Sequence, residues 1–274
     1  MFRLLNFEFN RIFKLLVGLS IGVFGIQLIS VIISTISYKE SVIESNLREG
    51  MTLQEIVETY GLFEAYYITL NNLFFLPVGI CAGVILFSIF FIWYRDWAGK
   101  NTFMYRLMML PQSRMTIYYA KLLTIMITVL SLAFIQYLYL YIYAIVAKLI
   151  LPSQYIGSLN PSDMISQSSL QVILAPDTLL FISAYLIGTL FVMMMFTLIL
   201  LERSYKFVGL LIGGLYLFVI ASLIIGFIVH QYIFNPYPYF YKTELVIIAI
   251  LAWLILTLIT FIWNRHLMKR KITV

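Results

Sequence analysis

The chain has 274 residues, of which 62% are hydrophobic and only 11% charged, with a mean hydropathy of +0.98 and a formal net charge of +6. A soluble globule carries about 25% charged residues, so this composition excludes a water-soluble domain of this length and makes lipid the main solvent. One cysteine, Cys81, excludes an intrachain disulfide or a cysteine metal cage, and the positive charge reads as a bias between two sides of a membrane rather than a nucleic-acid footprint.

The N-terminal segment Phe2–Lys14 is a short amphipathic stretch that leads into the first apolar run, Leu15–Ser37. That run is longer than the core of a signal peptide, and no small-x-small cleavage site follows it, so it reads as a retained span. Five more apolar runs follow: Leu73–Trp93, Leu122–Ala147, Leu179–Leu201, Phe207–Gln231 and Leu245–Trp263. Each is long enough to cross about 30 Å of hydrocarbon as a helix, and lipid leaves free backbone groups no other partner. Gly18 and Gly22, Gly79 and Gly83, and Gly209 and Gly213 form small-xxx-small pairs that would let helices approach closely. Cys81 lies inside the second run, where it reads as a small buried hydrophobe.

The connections alternate in character. Residues 38–72 are long for a link, and Thr52 and Glu55 form a T-x-x-E capping box. After it, Leu53, Ile56, Val57, Tyr60, Tyr67 and Ile68 recur at roughly helical spacing, which predicts an amphipathic helix on the outer surface or against the bundle. Residues 151–177 are rich in Ser, Gln, Asn and Pro and read as a loop punctuated by Pro161 and Pro176. Tyr94–Ile117 is a substantial basic link with Asp96 and Pro111, Glu202–Lys206 is a tight turn, and Tyr232–Tyr241 is a short aromatic link with two prolines.

With the N-terminus inside, fourteen of the eighteen Lys and Arg residues fall on the inner side, leaving Lys39, Arg48, Lys148 and Lys242 outside. The positive-inside rule then places both termini in the cytoplasm. Lys121, Lys148 and Glu244 lie near span boundaries, where long side chains snorkel to the interface.

A search for chemistry finds little. His230 and His266 fall on opposite sides of the membrane, and the chain has no H-E-x-x-H, no P-loop and no G-x-S-x-G. Apart from His230 near a span end, the span interiors carry no ionisable side chain, which argues against an ion-driven carrier built on buried carboxylates. No catalytic, cofactor-binding or metal site is expected. Near the outer end of the third run stand Tyr137, Tyr139, Tyr141 and Tyr143, with Gln136 beside them. Tyr137 and Tyr141 share one helix face, and Tyr139 and Tyr143 another. Two readings stand: an aromatic belt at headgroup depth, or Gln136, Tyr137 and Tyr141 as a polar-aromatic lining for an amphiphilic substrate.

The stretches that carry a resemblance are the start, Phe2-Arg3-Leu4-Leu5-Asn6-Phe7-Glu8-Phe9-Asn10-Arg11, then Trp93-Tyr94-Arg95-Asp96-Trp97-Ala98-Gly99-Lys100, then Arg106-Leu107-Met108-Met109-Leu110-Pro111-Gln112-Ser113-Arg114, and Ala120-Lys121-Leu122-Leu123. Together they resemble the permease subunits of bacterial type-2 ABC exporters, in which a Y-x-D/E segment, an LPxSR turn and a KLL span start recur between spans two and three. In motif the resemblance covers the first 14 residues and residues 94–123; in topology it covers nearly the whole chain. It implies an all-α, polytopic six-helix transmembrane bundle with an N-terminal amphipathic interfacial helix and a cytoplasmic coupling helix, in a bacterial cell membrane.

The resemblance further implies a half-transporter that pairs with a second permease, identical or related, and with two ABC ATPase subunits that hold ATP and Mg. Asp96, Lys100, Arg106 and Arg114 would make rim ion pairs with the ATPase, and Phe103 and Leu107 would pack into its groove. A plainer reading of the same basic loop is that it sets topology and touches anionic membrane lipid. The sequence departs from family members with a large extracellular domain, since residues 38–72 are too few for one, and with no P-loop of its own ATP hydrolysis is expected on a separate subunit. A non-transporting sensor or assembly subunit, binding other membrane proteins, shares the same composition, whereas a membrane-embedded enzyme is disfavoured by the missing buried acids and histidines. No nucleic-acid partner is expected.

Overall fold

The computed structural model describes residues 1–69, 71–97, 104, 107, 109, 113–175, 177–229 and 241–271. About 89% of it is helical, and five helices are long and apolar enough to cross a membrane. This is the pattern of a multi-pass membrane protein. Its burial is inverted relative to a soluble fold: Phe87, Phe134, Leu215, Phe218, Leu223 and Ile262 all present their side chains outward, where lipid rather than water would receive them.

The first helix, α1 (Phe2–Tyr38), runs without interruption for 37 residues, about 55 Å at 1.5 Å per residue. A π-helical stretch, Lys39–Glu44, and one further turn carry it to Arg48. Residues 2–14, expected as an N-terminal amphipathic interfacial helix leading into the first span, are helical and continuous with that span in α1. No Gly or Pro interrupts them, and Arg11 lies 3.7 Å from the buried carboxylate of Glu8 one turn back, which supports helical continuity.

Next come α2 (Leu53–Tyr60) and α3 (Ala65–Thr69). The capping box is present: the Thr52 amide donates to Glu55 Oε2 at 2.7 Å, and the Glu55 amide donates to Thr52 Oγ1 at 3.4 Å. The periodicity over residues 53–68 resolves into two helices rather than one, because Gly61 takes φ +76°, a backbone conformation that glycine supplies without strain. Phe63 then forms an isolated parallel bridge with Ile156, its amide donating to the Tyr155 carbonyl at 2.8 Å. Phe63 and Tyr67 stack at this junction and Tyr38 packs edge-on against both, with ring centroids 5.0–5.5 Å apart.

Two long helices follow, α4 (Asn72–Trp97) and α5 (Arg114–Ile150). Asn71 caps α4 by accepting from the Leu73 amide at 3.1 Å. Between α5 and the next long helix, residues 151–175 are more ordered than a polar loop. They hold a 3-10 turn at Ser153–Tyr155, the helix α6 (Pro161–Ser166) and a second 3-10 turn at Ser169–Val172. Pro161 sits at the first helical position, where its fixed φ favours initiation. Tyr155, Leu159, Met164, Ile165 and Leu170 are buried, and these scattered apolar residues fold a segment whose overall composition is polar.

The segment α7 (Thr178–Val229) is two helices joined inside one 52-residue stretch, the first started by Asp177, whose Oδ1 accepts from the Leu179 amide at 3.2 Å. One residue inside it is not helical: Lys206, at φ 53° and ψ −130°. There the chain reverses. A Cβ on Gly209 would lie 1.9 Å from the Leu201 carbonyl oxygen, and one on Gly213 would lie 3.3 Å from Leu198 Cα. Leu190 and Met194 before the reversal pack with Ile220, Tyr216 and Leu217 after it. The last helix, α8 (Lys242–His266), lies against both halves: Trp253 Nε1 donates to the Leu186 carbonyl at 3.0 Å, and Thr260 shares a 2.6 Å hydrogen bond with Tyr216.

By contact, the chain divides into two compact units, one of residues 1–5, 87–125 and 185–274, the other of residues 6–86 and 126–184.

Candidate functional site

The first unit contains a buried charge pair. Asp96, one residue from the end of α4, and Lys121, two turns into α5, form an ion pair, and neither side chain has any exposed surface. Lys121 Nζ also donates to the Ile92 carbonyl at 2.7 Å and stands 5.3 Å from the Trp93 ring centroid. Three separate interactions thus balance the desolvation of the ammonium group. Trp93 is itself enclosed, packing edge-on against Phe196 of α7 at 5.3 Å and stacking on Trp97.

Polar and cationic contacts extend the cluster. Tyr94 donates its hydroxyl to the Glu202 carboxylate. The Arg203 guanidinium lies about 5 Å over both the Tyr94 and Trp97 rings. Asn264 of α8, fully buried, donates to the Tyr118 hydroxyl at 3.0 Å and to the Met193 carbonyl at 3.3 Å. Parts of α4, α5, α7 and α8 are therefore tied to one another by directional bonds, in a region where greasy packing alone would let helices slide.

The predicted coupling residues fall as follows. Asp96 is directed inward onto Lys121, so its charge is engaged inside this chain rather than offered at a rim. Lys121, expected to snorkel, is instead fully buried, because the Asp96 carboxylate and the Ile92 carbonyl lie within reach. Leu107 is helical and buried. Arg114 opens α5 and directs its guanidinium to the Met268 carbonyl at 3.4 Å. Lys100, Phe103 and Arg106, and with them most of the expected coupling helix, lie outside the described residues.

The second unit contains a polar network among apolar helices. Gln27 of α1 donates to the Phe74 carbonyl at 3.0 Å, and its Oε1 accepts from Gln136 Nε2 at 3.0 Å and from the Tyr143 hydroxyl at 3.1 Å. Ser20 and Tyr139 share a 2.6 Å hydrogen bond. The two tyrosine faces are thereby told apart. Tyr139 and Tyr143 turn to α1 and flank Phe24, at 4.8 and 6.0 Å. Tyr137 and Tyr141 turn away, exposed, with their hydroxyls 3.0 Å apart.

Each face of α5 borders a cavity. Gln136 and Tyr139 line one of about 320 Å³, together with Val23, Cys81, Leu132 and Ile173. Tyr137 lines another of about 530 Å³, with Phe134, Ile165, Leu174 and Phe181. Tyr141 lines neither. Among the paired glycines, Gly209 and Gly213 meet the first half of α7, whereas a Cβ on Gly18 or Gly22 would meet nothing within 4 Å.

Sequence reasoning missed Lys121, Gln27, Tyr118 and Asn264 as partners. Gln27 carried a signal, being the one carboxamide in the run Leu15–Ser37, where an unpaired amide would be costly. Lys121 carried a weaker one, a cation 25 residues from Asp96 across a link whose fold cannot be read from pattern. Among the described residues no three of His, Cys, Asp and Glu cluster as metal ligands. No family model, curated protein or solved structure matches the chain.

Proposed function

We propose that this chain is the membrane-spanning permease subunit of an ATP-driven ABC exporter, and that it forms, with a second permease, the pathway for an amphiphilic peptide, drug or lipid-like substrate. In this reading the two halves of α7, which reverse at Lys206, are separate spans. A single straight helix of 52 residues would reach about 78 Å, more than twice the hydrocarbon thickness. The count is then six spans, with both termini cytoplasmic and Lys206 in the inner turn, as the distribution of Lys and Arg requires.

The observation that carries the reading is the Asp96–Lys121 pair. It fastens α4 to α5 close to where residues 98–113 leave one helix and enter the other. Those residues, with Lys100 and Arg106, make the basic link expected to dock on an ATPase. A link anchored by a buried ion pair transmits a push to both helices, whereas one hung on flexible ends would absorb it. Asp96 then acts as an anchor of the coupling segment rather than as a contact to the ATPase. Nucleotide hydrolysis, with its Mg, belongs to the partner subunit.

The test is a crosslink. Met109 lies in the link and is 65% exposed. With Cys81 replaced by Ala, a Met109→Cys chain is expressed together with the products of the reading frames flanking its gene and treated with a short bifunctional maleimide. The expected product joins this chain to a P-loop ATPase. A crosslink only to proteins without nucleotide-hydrolysing activity, or none at all, would overturn the reading in favour of a sensor or assembly subunit.

A further inference from the structure

The cavity of about 320 Å³ lies among α1, α4 and α5, with Ile173 of the 151–177 segment also on its wall. Its volume falls at the lower end of the range for small-molecule pockets, about 300–1,000 Å³. The wall is nearly all hydrocarbon, and small side chains, Cys81, Ala82 and Ala133, make the room. Polar groups on it are engaged elsewhere: Ser20 and Tyr139 bond to each other at 2.6 Å, and Gln136 donates to Gln27 at 3.0 Å. A cavity whose polar groups are already hydrogen-bonded offers water too few partners to hold it, and it stays dry or takes an apolar guest.

The three helices around it are each apolar enough to cross a membrane, so the medium at their surface is itself made of alkyl chains. An unfilled space forfeits the dispersion contacts of every atom on its wall. A chain of methylenes restores them, whereas a charged group would meet an apolar wall whose polar groups are already hydrogen-bonded. We propose that this cavity binds one alkyl chain, the tail of a membrane lipid or of an amphiphile, with Ser20, Gln136 and Tyr139 as the polar side chains on its wall. The inference needs only the membrane-spanning character of the helices and stands apart from any ATPase partner.

Cys81 is the protein's one cysteine and lies on the cavity wall, which supplies a built-in reporter. The full chain is reconstituted in nanodiscs of palmitoyl-oleoyl phosphatidylglycerol and phosphatidylethanolamine and weighed by native mass spectrometry. One lipid is expected to stay on each wild-type chain at collision energies that strip the rest. Ala82→Phe and Ala133→Phe, which fill the space from two different helices, should lower that retained fraction at least tenfold, while Phe134→Ala, outside this cavity, should leave it unchanged. Addition of N-dodecylmaleimide to Cys81, slow for a thiol this buried, should displace the lipid wherever it occurs, so that adduct and lipid never occur on one chain.

Filling variants are compared only where their size-exclusion profile and Tm match wild type; Cys81 alkylation of the wild-type chain needs no such check. Retention of lipid by both folded filling variants, or of lipid and adduct together, would overturn the proposal, as would a wild-type chain that keeps no alkyl-bearing molecule. The mass of the retained species separates the two sources. A bilayer phospholipid identifies a lipid tail, and a non-bilayer amphiphile carried through purification and lost in Ala82→Phe, which lines this cavity alone, identifies a substrate tail.

Discussion

Lys121 and Asp96, 25 residues apart in the chain, meet as an ion pair with no exposed surface on either side chain. Removing one partner leaves the other charge buried without its counter-ion, and this typically costs about 3–5 kcal/mol. Lys121→Met and Asp96→Leu are each expected to destabilise the detergent-solubilised protein by that order, read as a fall in Tm. The double replacement should recover much of the loss, because two apolar groups leave no orphaned charge. Losses that simply add would show that the two residues act independently.

Gly209 and Gly18 begin pairs that look alike in the sequence, but only one of them is crowded. A Cβ on Gly209 would sit 1.9 Å from the Leu201 carbonyl oxygen, whereas one on Gly18 meets nothing within 4 Å. Backbone, unlike a flexible side chain, cannot swing away. Gly209→Ala should destabilise by about 1–3 kcal/mol, while Gly18→Ala and Gly22→Ala should leave the monomer's Tm within experimental scatter. An effect of Gly18→Ala confined to an assembled complex would assign that face to a subunit contact.

At the start of α2, the Glu55 carboxyl is held below the usual glutamate range by the Thr52 backbone amide first and the Thr52 hydroxyl second. Its folded pKa lies below its unfolded one, so the cap is fully effective above the unfolded value of about 4.3 and is lost as the pH falls through the lower, folded value. Hydrogen exchange of residues 52–60 should therefore show protection that is flat at neutral pH and declines only in acid. Glu55→Gln should remove that pH dependence.

Gln27 makes three hydrogen bonds and Gln136 shares one of them. Interhelical hydrogen bonds in membranes average about 0.6 kcal/mol, but orphaning a buried polar group costs about 1–3 kcal/mol. Gln27→Leu removes the hydrogen bonds to the Phe74 carbonyl, Gln136 and Tyr143 together, leaving the Tyr143 hydroxyl only its 3.4 Å bond to the Phe24 carbonyl, so it should lower Tm more than Gln136→Leu does. Equal effects would mean that the network is not centred on α1.

The long apolar runs were legible because lipid admits only helices, and a run of about 20 apolar residues has one physical meaning there. The Thr52–Glu55 box was legible because its signal is local in sequence. Residues 151–177 were misread as loop because a few buried apolar side chains, Tyr155, Met164 and Leu170 among them, outweigh the Ser and Asn around them only once Phe63 is brought alongside. Asp96–Lys121 was hidden for a different reason: each charge lies near a run boundary, where exposure is the ordinary outcome, and only the tertiary approach of α4 and α5 buries them together.

The central claim, that the chain is an exporter permease, is tested most directly by affinity purification in detergent after expression with its neighbouring genes, followed by mass analysis and an ATPase assay. The account predicts that a P-loop subunit travels with the chain, that the complex hydrolyses ATP, and that Lys121→Met weakens the stimulation of that activity by the permease. A chain that emerges alone, or with partners that hydrolyse no ATP, would contradict it.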